Sequence, residues 1–451
     1  MNHSHKEEII LTIIGVLIGI IFIIWLSMKN ISILIVAPLA TMLVIVFNQM
    51  SIYNIFLSGN PDSFMFSLAN YVLRYFWIFL LGSILANLME ESRATDAIAQ
   101  TIVNKIGTDR PYNILLAIFL ISFILTFGGI SLFVAMFAII PLARVLFQKA
   151  NISWHLIQIP LWLGICTVTM TVLPGSPSIQ NIIPIDYLDT SLTAAFLPSL
   201  VASVVCVGFG LWYMGYALKR SQSLGQQFAT FATVVETKKV QKELPSFEKS
   251  ILPLATLIVI SFCGSLFGND FLKKNVIYFA LVIAVALCIL LFRKSFSSIV
   301  GSLNKGASGA VLPIFSTAAA VAFGSIVVKS DGFATIQELL FSLPVPSYVN
   351  LGLFTAIMSG ITGSSSGALG IVMPNYAEYY LHSGLDKEMI HRIATIGSNI
   401  LTIVPQSGVF ITFIGLTKLT PKTGFKESFI TVFVGSLLAE IVVVCWALFV
   451  G

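Results

Sequence analysis

The sequence predicts an all-α polytopic membrane protein made of two inverted repeats, each with five spans, one re-entrant hairpin and one broken helix. Three observations carry this reading: a great excess of apolar over charged residues, a succession of span-length apolar runs, and a set of motifs that occurs twice. Of the 451 residues, 57% are hydrophobic and 10% charged, and mean hydropathy is +0.95. Soluble domains carry about 25% charged residues. Apolar runs lie at 9–28, 31–47, 64–89, 192–213, 251–267, 276–292 and 429–450, each near the roughly 20 residues that a helix needs to cross the hydrocarbon core. A membrane β-barrel would show short alternating segments instead. The first run is long, lacks a small-residue cleavage site and leads almost directly into the second, so it reads as a span rather than a cleaved signal peptide.

The net charge of +5 is modest, and basic loops of this kind set topology rather than bind nucleic acid. Cys166, Cys206, Cys263, Cys288 and Cys445 lie singly in apolar segments. Their spacing fits neither a metal site nor a disulfide framework, and no metal or other cofactor is expected.

The repeat is read from paired motifs. Residues 218–249 form the one long hydrophilic stretch, with six Lys or Arg, and divide the chain into repeat one (1–217) and repeat two (250–451). "FLLGSILANLMEESRATDAIAQ" is echoed by "VAFGSIVVKSDGFATIQELL", which pairs Gly82 with Gly324. Pro111 and Pro346 follow, then "TFGGIS" and "TGSSSG", then Pro141 and Pro374. Last, "TVLPGSPSIQN" aligns with "TIVPQSGVFIT", pairing Pro174 with Pro405. The small-residue clusters predict hairpin tips inside 111–147 and 346–382. The positive-inside rule puts the basic linker 218–249, 293–305 and 418–426 in the cytoplasm. An odd number of spans per repeat then inverts the second repeat and leaves both chain ends outside.

Proline removes a backbone donor and frees the carbonyl one turn earlier. Non-helical backbone at membrane depth survives only against protein or a watery cavity. Pro174 and Pro177, with Gly175 between them, therefore predict an unwound turn whose carbonyls, hydroxyls and amides can bind a solute. Interrupted spans at matching places in two repeats point to a transporter's central site. Half-helix N-termini there suit a carboxylate.

The stretches "LMEESRATDAIAQTIVNKIGTDR", "TFGGISLFVAMFAIIPLARVLF", "TMTVLPGSPSIQNIIP" and "SGITGSSSGALGIVMPNY" resemble the gluconate permease family of the ion-transporter superfamily. The resemblance runs from about residue 31 onward. It implies a homodimeric secondary transporter in the bacterial cytoplasmic membrane that imports gluconate, a related sugar acid or a hydroxy acid. It further implies proton symport and elevator-like alternating access. Sodium-coupled transport of a carboxylate or amino acid is the alternative, and an anion channel the next, since re-entrant loops also build selectivity filters. Family members resemble "SGGLDSLPHNGAVITLL" where this chain reads "SNILTIVPQSGVFITFI", so Thr402 and Gln406 stand at the family's aspartate and histidine positions.

The candidate substrate-binding residues fall into four groups. Tip one offers Thr126, Gly128, Gly129 and Ser131, and break one offers Gly175, Ser176, Ser178, Gln180 and Asn181. Tip two offers Thr362, Ser364, Ser365 and Ser366, and break two offers Ser398, Asn399, Thr402, Gln406 and Ser407. Substrate hydroxyls are assigned to Gln180, Asn181, Asn399 and Gln406, and the carboxylate to the tips. The partners expected are therefore a small carboxylate, a coupling cation (a proton before sodium), the lipid bilayer and a second subunit.

Arg74, Arg144, Lys329, Glu378 and Glu440 lie in or near apolar segments, where an ionisable group is a functional candidate by default. Lys329, Arg144 and Glu378 can snorkel to the interface. Glu440 is expected in a scaffold salt bridge or dimer contact, with proton carriage the alternative, and His391 as an interfacial helix cap rather than a ligand. An enzyme is not expected, because no nucleophile–base pair, HExxH or GxSxG motif sits on a plausible scaffold.

Overall fold

Helices form along the apolar runs because a backbone in hydrocarbon must satisfy its own N–H and C=O groups. The computed structural model describes residues 3–29, 31–57, 59–106, 110–128, 132–232 and 244–450, and every regular element among them is helical. The first half contains α1 (His3–Met28), α2 (Ile33–Phe47), α3 (Phe64–Glu91), α4 (Ala94–Ile106), α5 (Pro111–Phe127), α6 (Leu132–Lys149), α7 (Trp154–Val172) and α8 (Phe196–Ser223). The second contains α9 (Phe247–Phe267), α10 (Asp270–Phe292), α11 (Ile299–Val328), α12 (Asp331–Phe341), α13 (Ser347–Thr362), α14 (Ser365–His382), α15 (Lys387–Ile400), α16 (Gly408–Thr417) and α17 (Pro421–Phe449).

Among the described residues, seven helices are long and apolar enough to cross a membrane, those of α1, α3, α7, α8, α10, α11 and α17. The sequence expectation of ten spans adds α2, which is 15 residues long, α9 over the run at 251–267, and a second broken span divided between α15 and α16. Short polar side chains fix many helix starts by accepting from N–H groups that the helix leaves orphaned. Ser63 does so for α3, Ser298 for α11, Ser330 for α12, Ser364 for α14 and Thr420 for α17.

Small residues set the central contact, as they do where helices pack without a hydrophobic driving force between them. A Cβ on Gly306 of α11 would lie 2.7 Å from the Ile84 Cα of α3. Across that seam Ser83 donates to the Gly306 carbonyl at 2.7 Å and Asn87 to the Ser302 carbonyl at 2.9 Å. On either side α1 packs on α12, α9 on α4, and α8 on α17. These layers enclose the broken helices. Of α7, 94% is buried, against 33% of the Ile10–Ser27 span, so α7 faces protein rather than lipid. In α15 every residue from 390 to 400 is buried.

Candidate substrate site

Break one begins before its prolines. Residues Leu163–Val172 are wound as a π-helix, a form that concentrates at functional sites. Thr167 and Thr169 donate five residues back, to the Trp162 carbonyl at 3.0 Å and the Gly164 carbonyl at 2.7 Å. The helix ends at Leu173, which is extended (φ −77°, ψ 124°). Gly175 then turns the chain at φ 83°, and its N–H donates to the Leu192 carbonyl at 2.8 Å. Ser178 restarts the helix. Its hydroxyl donates to the Met170 carbonyl at 2.7 Å and accepts from the Asn181 N–H at 3.3 Å. In break two the chain runs without helix from the end of α15 to Ser407, and α16 starts at Gly408. Pro174 and Pro405 both lie in non-helical backbone between helices. Neither is a kink in a continuous helix.

The two hairpin turns lie beside these breaks. Tip two is the better described: α13 ends at Gly363, left-handed at φ 60°, and Ser364 caps α14 through the Gly367 N–H at 3.1 Å. A Cβ on Gly363 would stand 3.2 Å from Ser407 Cα and 3.3 Å from Gln406 Cγ, so the turn rests on break two. Ser365 and Ser398 share a hydrogen bond at 2.6 Å. At tip one Gly128 closes α5, and Thr126 meets Thr169 of the π segment at 2.7 Å. Gly129 and Ser131 lie outside the described residues.

A cavity opens where the four groups converge. Thr126 lines it from tip one, Ser178 and Gln180 from break one, Ser364, Ser365 and Ser366 from tip two, and Thr402 from break two. Apolar walls come from Ile78 and Phe79 of α3, Leu132 and Phe133 of α6, and Ile165 and Met170 of α7. No lining residue among those described is charged.

The other expected site residues stand behind this lining. Asn181 donates to the Ser176 carbonyl at 3.0 Å and accepts from Arg392 at 2.9 Å. Asn399 donates to the Cys166 carbonyl at 3.2 Å and to Ser436 at 3.0 Å. Both amides are thus engaged within the protein. Gln406 donates to the Gly360 carbonyl at 2.9 Å. Its oxygen, and the hydroxyls of Ser176 and Ser407, are buried without a partner among the described residues. Thr362 lies 2.9 Å from the carbonyls of Met358 and Ser364.

Sequence reasoning passed over Arg392. Its side chain is fully buried. It donates to the Thr171 carbonyl and Asn181 Oδ1, each at 2.9 Å, and to the Ala194 carbonyl at 3.1 Å. No carboxylate among the described residues forms an ion pair with it. A positive charge is therefore held one residue behind Gln180. His391 is likewise interior rather than an interfacial cap, fully buried with Nδ1 2.7 Å from the Thr190 hydroxyl. The reason is that α15 runs inside the molecule. Thr169 and Cys166 also line the cavity. Arg74, by contrast, reaches the segment after break one, bonding Tyr187 and pairing with Asp186 at 3.6 Å.

An all-helical membrane fold with an uncharged cavity, apolar-walled and carrying hydroxyl groups, between two helix breaks defines a polytopic transporter. The chain matches the GntP family permease description over residues 8–449 and belongs to that family, which is one of permeases, not enzymes. It is similar to the uncharacterized transporter YxjC of Bacillus subtilis (strain 168), with 29% identity over 92% of this chain and 95% of that one. It is also similar to the gluconate permease of Pseudomonas aeruginosa, with 24% identity over 74% of this chain and 76% of the relative. In fold it resembles the Alcanivorax borkumensis YdaH transporter, with a TM-score of 0.55 at 17% identity over 88% of this chain and 90% of that one.

Proposed function

We propose that this permease imports a small organic anion, a gluconate-like sugar acid or hydroxy acid, by proton symport across a bacterial cytoplasmic membrane. The observation that carries the reading is the polar part of the cavity lining: hydroxyls and one amide, with the N-terminal turn of α14 and the charge of Arg392 behind them. The first turn of a helix carries partial positive charge and free N–H groups. The substrate carboxylate is placed at Ser364, Ser365 and Ser366, and its hydroxyls at Gln180, Ser178, Thr126 and Thr402. Asn181 and Asn399 act as supports for these groups. The name of the Pseudomonas relative supports the substrate class.

The order of elements supports the inverted-repeat reading, because α1–α8 and α9–α17 run through the same succession of paired spans, long helix, amphipathic helix, hairpin, broken helix and long helix. In this reading hairpin α5–α6 enters from the cytoplasm and hairpin α13–α14 from outside. The hairpins and broken helices move as an elevator against a dimeric scaffold. Thermal-shift measurement on purified protein tests the site, since a ligand of the native state raises apparent stability. Gluconate and related hydroxy acids should stabilise the protein more than acids of equal charge without hydroxyls. Equal shifts from both would remove the hydroxyl-reading site. In proteoliposomes, gluconate should accumulate against its gradient when a proton gradient is imposed. Flux that only equilibrates would favour a channel.

A further inference from the structure

A proton-driven permease needs a group that takes up and releases the proton. The cavity lining contains no carboxylate or histidine among the described residues. The proton must therefore ride elsewhere, and one side chain in the interior is built for it.

Glu440 on α17 is 6% exposed, and both its carboxyl oxygens are buried without a partner among the described residues. The salt bridge expected from sequence does not form there. Two other helices make room for the group. A Cβ on Gly352 of α13 would lie 2.1 Å from Glu440 Oε1, and one on Gly397 of α15 would lie 3.4 Å from it. The carboxyl thus fills the junction of α17 with an arm of hairpin two and with the helix that precedes break two.

Titratable groups on the helices packed against α17 make contacts of their own, although His391 Nε2 and Arg392 Nε are buried without a partner among the described residues. On α15, His391 bonds Thr190, Arg392 bonds Asn181, and Glu388 accepts from the Ala195 N–H. On α7, Cys166 bonds Asn399. On α8, Tyr213 bonds Glu427, and Cys206 packs beside Gly435. On α13, Tyr348 accepts from the Asp386 N–H. Glu440 bonds none of its polar neighbours among the described residues, but a polar chain toward the cavity starts one turn away on its own helix. Ser436, one turn earlier on α17, accepts from Asn399 at 3.0 Å, and Asn399 holds the cavity-lining Cys166.

An ionised carboxylate costs several kcal/mol to bury without a partner, whereas the neutral acid carries only the smaller cost of an unpaired polar group. Glu440 can be charged only when the seam around it opens to water. We infer that Glu440 is the proton carrier of this permease, protonated while α13 and α15 close on it and deprotonated when their movement exposes it. The step is a single proton gained or lost at the carboxyl. The inference rests on the proton-symport reading above.

The full chain and its Glu440→Gln variant, reconstituted in liposomes, test this through two rates. Wild type should accumulate gluconate under a proton gradient and exchange it at equal pH. The variant should lose accumulation at least tenfold yet still exchange, with exchange no longer dependent on pH. Accumulation equal to wild type, or an unchanged pH profile of exchange, would overturn the proposal. Glu440→Asp keeps a titratable group and should retain partial accumulation, and a complete loss equal to that of the Gln variant would also count against proton carriage. A substrate-free readout separates this idea from the choice of substrate. Infrared difference spectra between acid and alkaline pH should show a carboxylic-acid C=O band in wild type that Glu440→Gln lacks. An identical band in both proteins overturns the assignment even if gluconate is the right substrate. Accumulation driven by sodium alone would overturn it together with proton symport.

Discussion

Arg392 on α15 donates to the side-chain oxygen of Asn181 at 2.9 Å, joining residues 211 positions apart. The same guanidinium holds the Thr171 carbonyl at the end of α7 and the Ala194 carbonyl before α8. One side chain of the second broken helix therefore fixes both sides of the first break. Arg392→Leu leaves those three acceptors without their donor, each buried acceptor costing about 1–3 kcal/mol. A loss of roughly 3 kcal/mol or more is expected, with a smaller loss of about 1–3 kcal/mol for Asn181→Ala. Arg392→Lys should fall between wild type and Leu, because a point charge cannot reproduce the planar fork. Thermal denaturation of the purified proteins checks the order, and a Leu variant as stable as wild type would show that the latch holds nothing.

Gln180 and Gln406 separate contact from support. The Gln180 amide lines the cavity, whereas Gln406 stands behind tip two and donates to the Gly360 carbonyl. Gln180→Ala should weaken binding by about 1–3 kcal/mol while lowering stability less than Gln406→Ala does. Gln406→Ala should weaken binding by a similar amount and lower stability as well. Calorimetric titration with gluconate, paired with melting curves, distinguishes the two. Normal affinity in the Gln180 variant would move the substrate out of this cavity.

Gly363 takes a left-handed conformation against Gln406 and Ser407. A side chain there costs about 1–2 kcal/mol for the backbone alone, and the close contacts add to it. Gly363→Ala should slow uptake, with the turn displaced from break two. Gly370→Ala on the same hairpin meets nothing within 4 Å and should transport normally. Equal rates in the two variants would mean that the fit of the turn is unimportant.

Topology can be checked without substrate. A tag inserted near Gln226 should be reached only from the cytoplasm, and a C-terminal tag only from outside. Finding both tags on one side would end the inverted-repeat count and the assignment of hairpin sides.

The sequence alone determined the membrane class, because 57% hydrophobic residues in span-length runs admit few other solutions. It also located both helix breaks. Proline and glycine act through local backbone chemistry, and Pro174, Gly175 and Pro405 need no distant partner to unwind a turn. What it could not rank was the polar residues around each break. Asn181 and Gln180 are neighbours in the chain, yet one faces Arg392 and the other the cavity. That choice depends on α15, whose register against α7 is set by side-chain packing across some two hundred residues. The same holds for Glu440. Its apolar helix was legible, but Gly352 and Gly397 come from two other helices, and only tertiary packing brought both against its carboxyl.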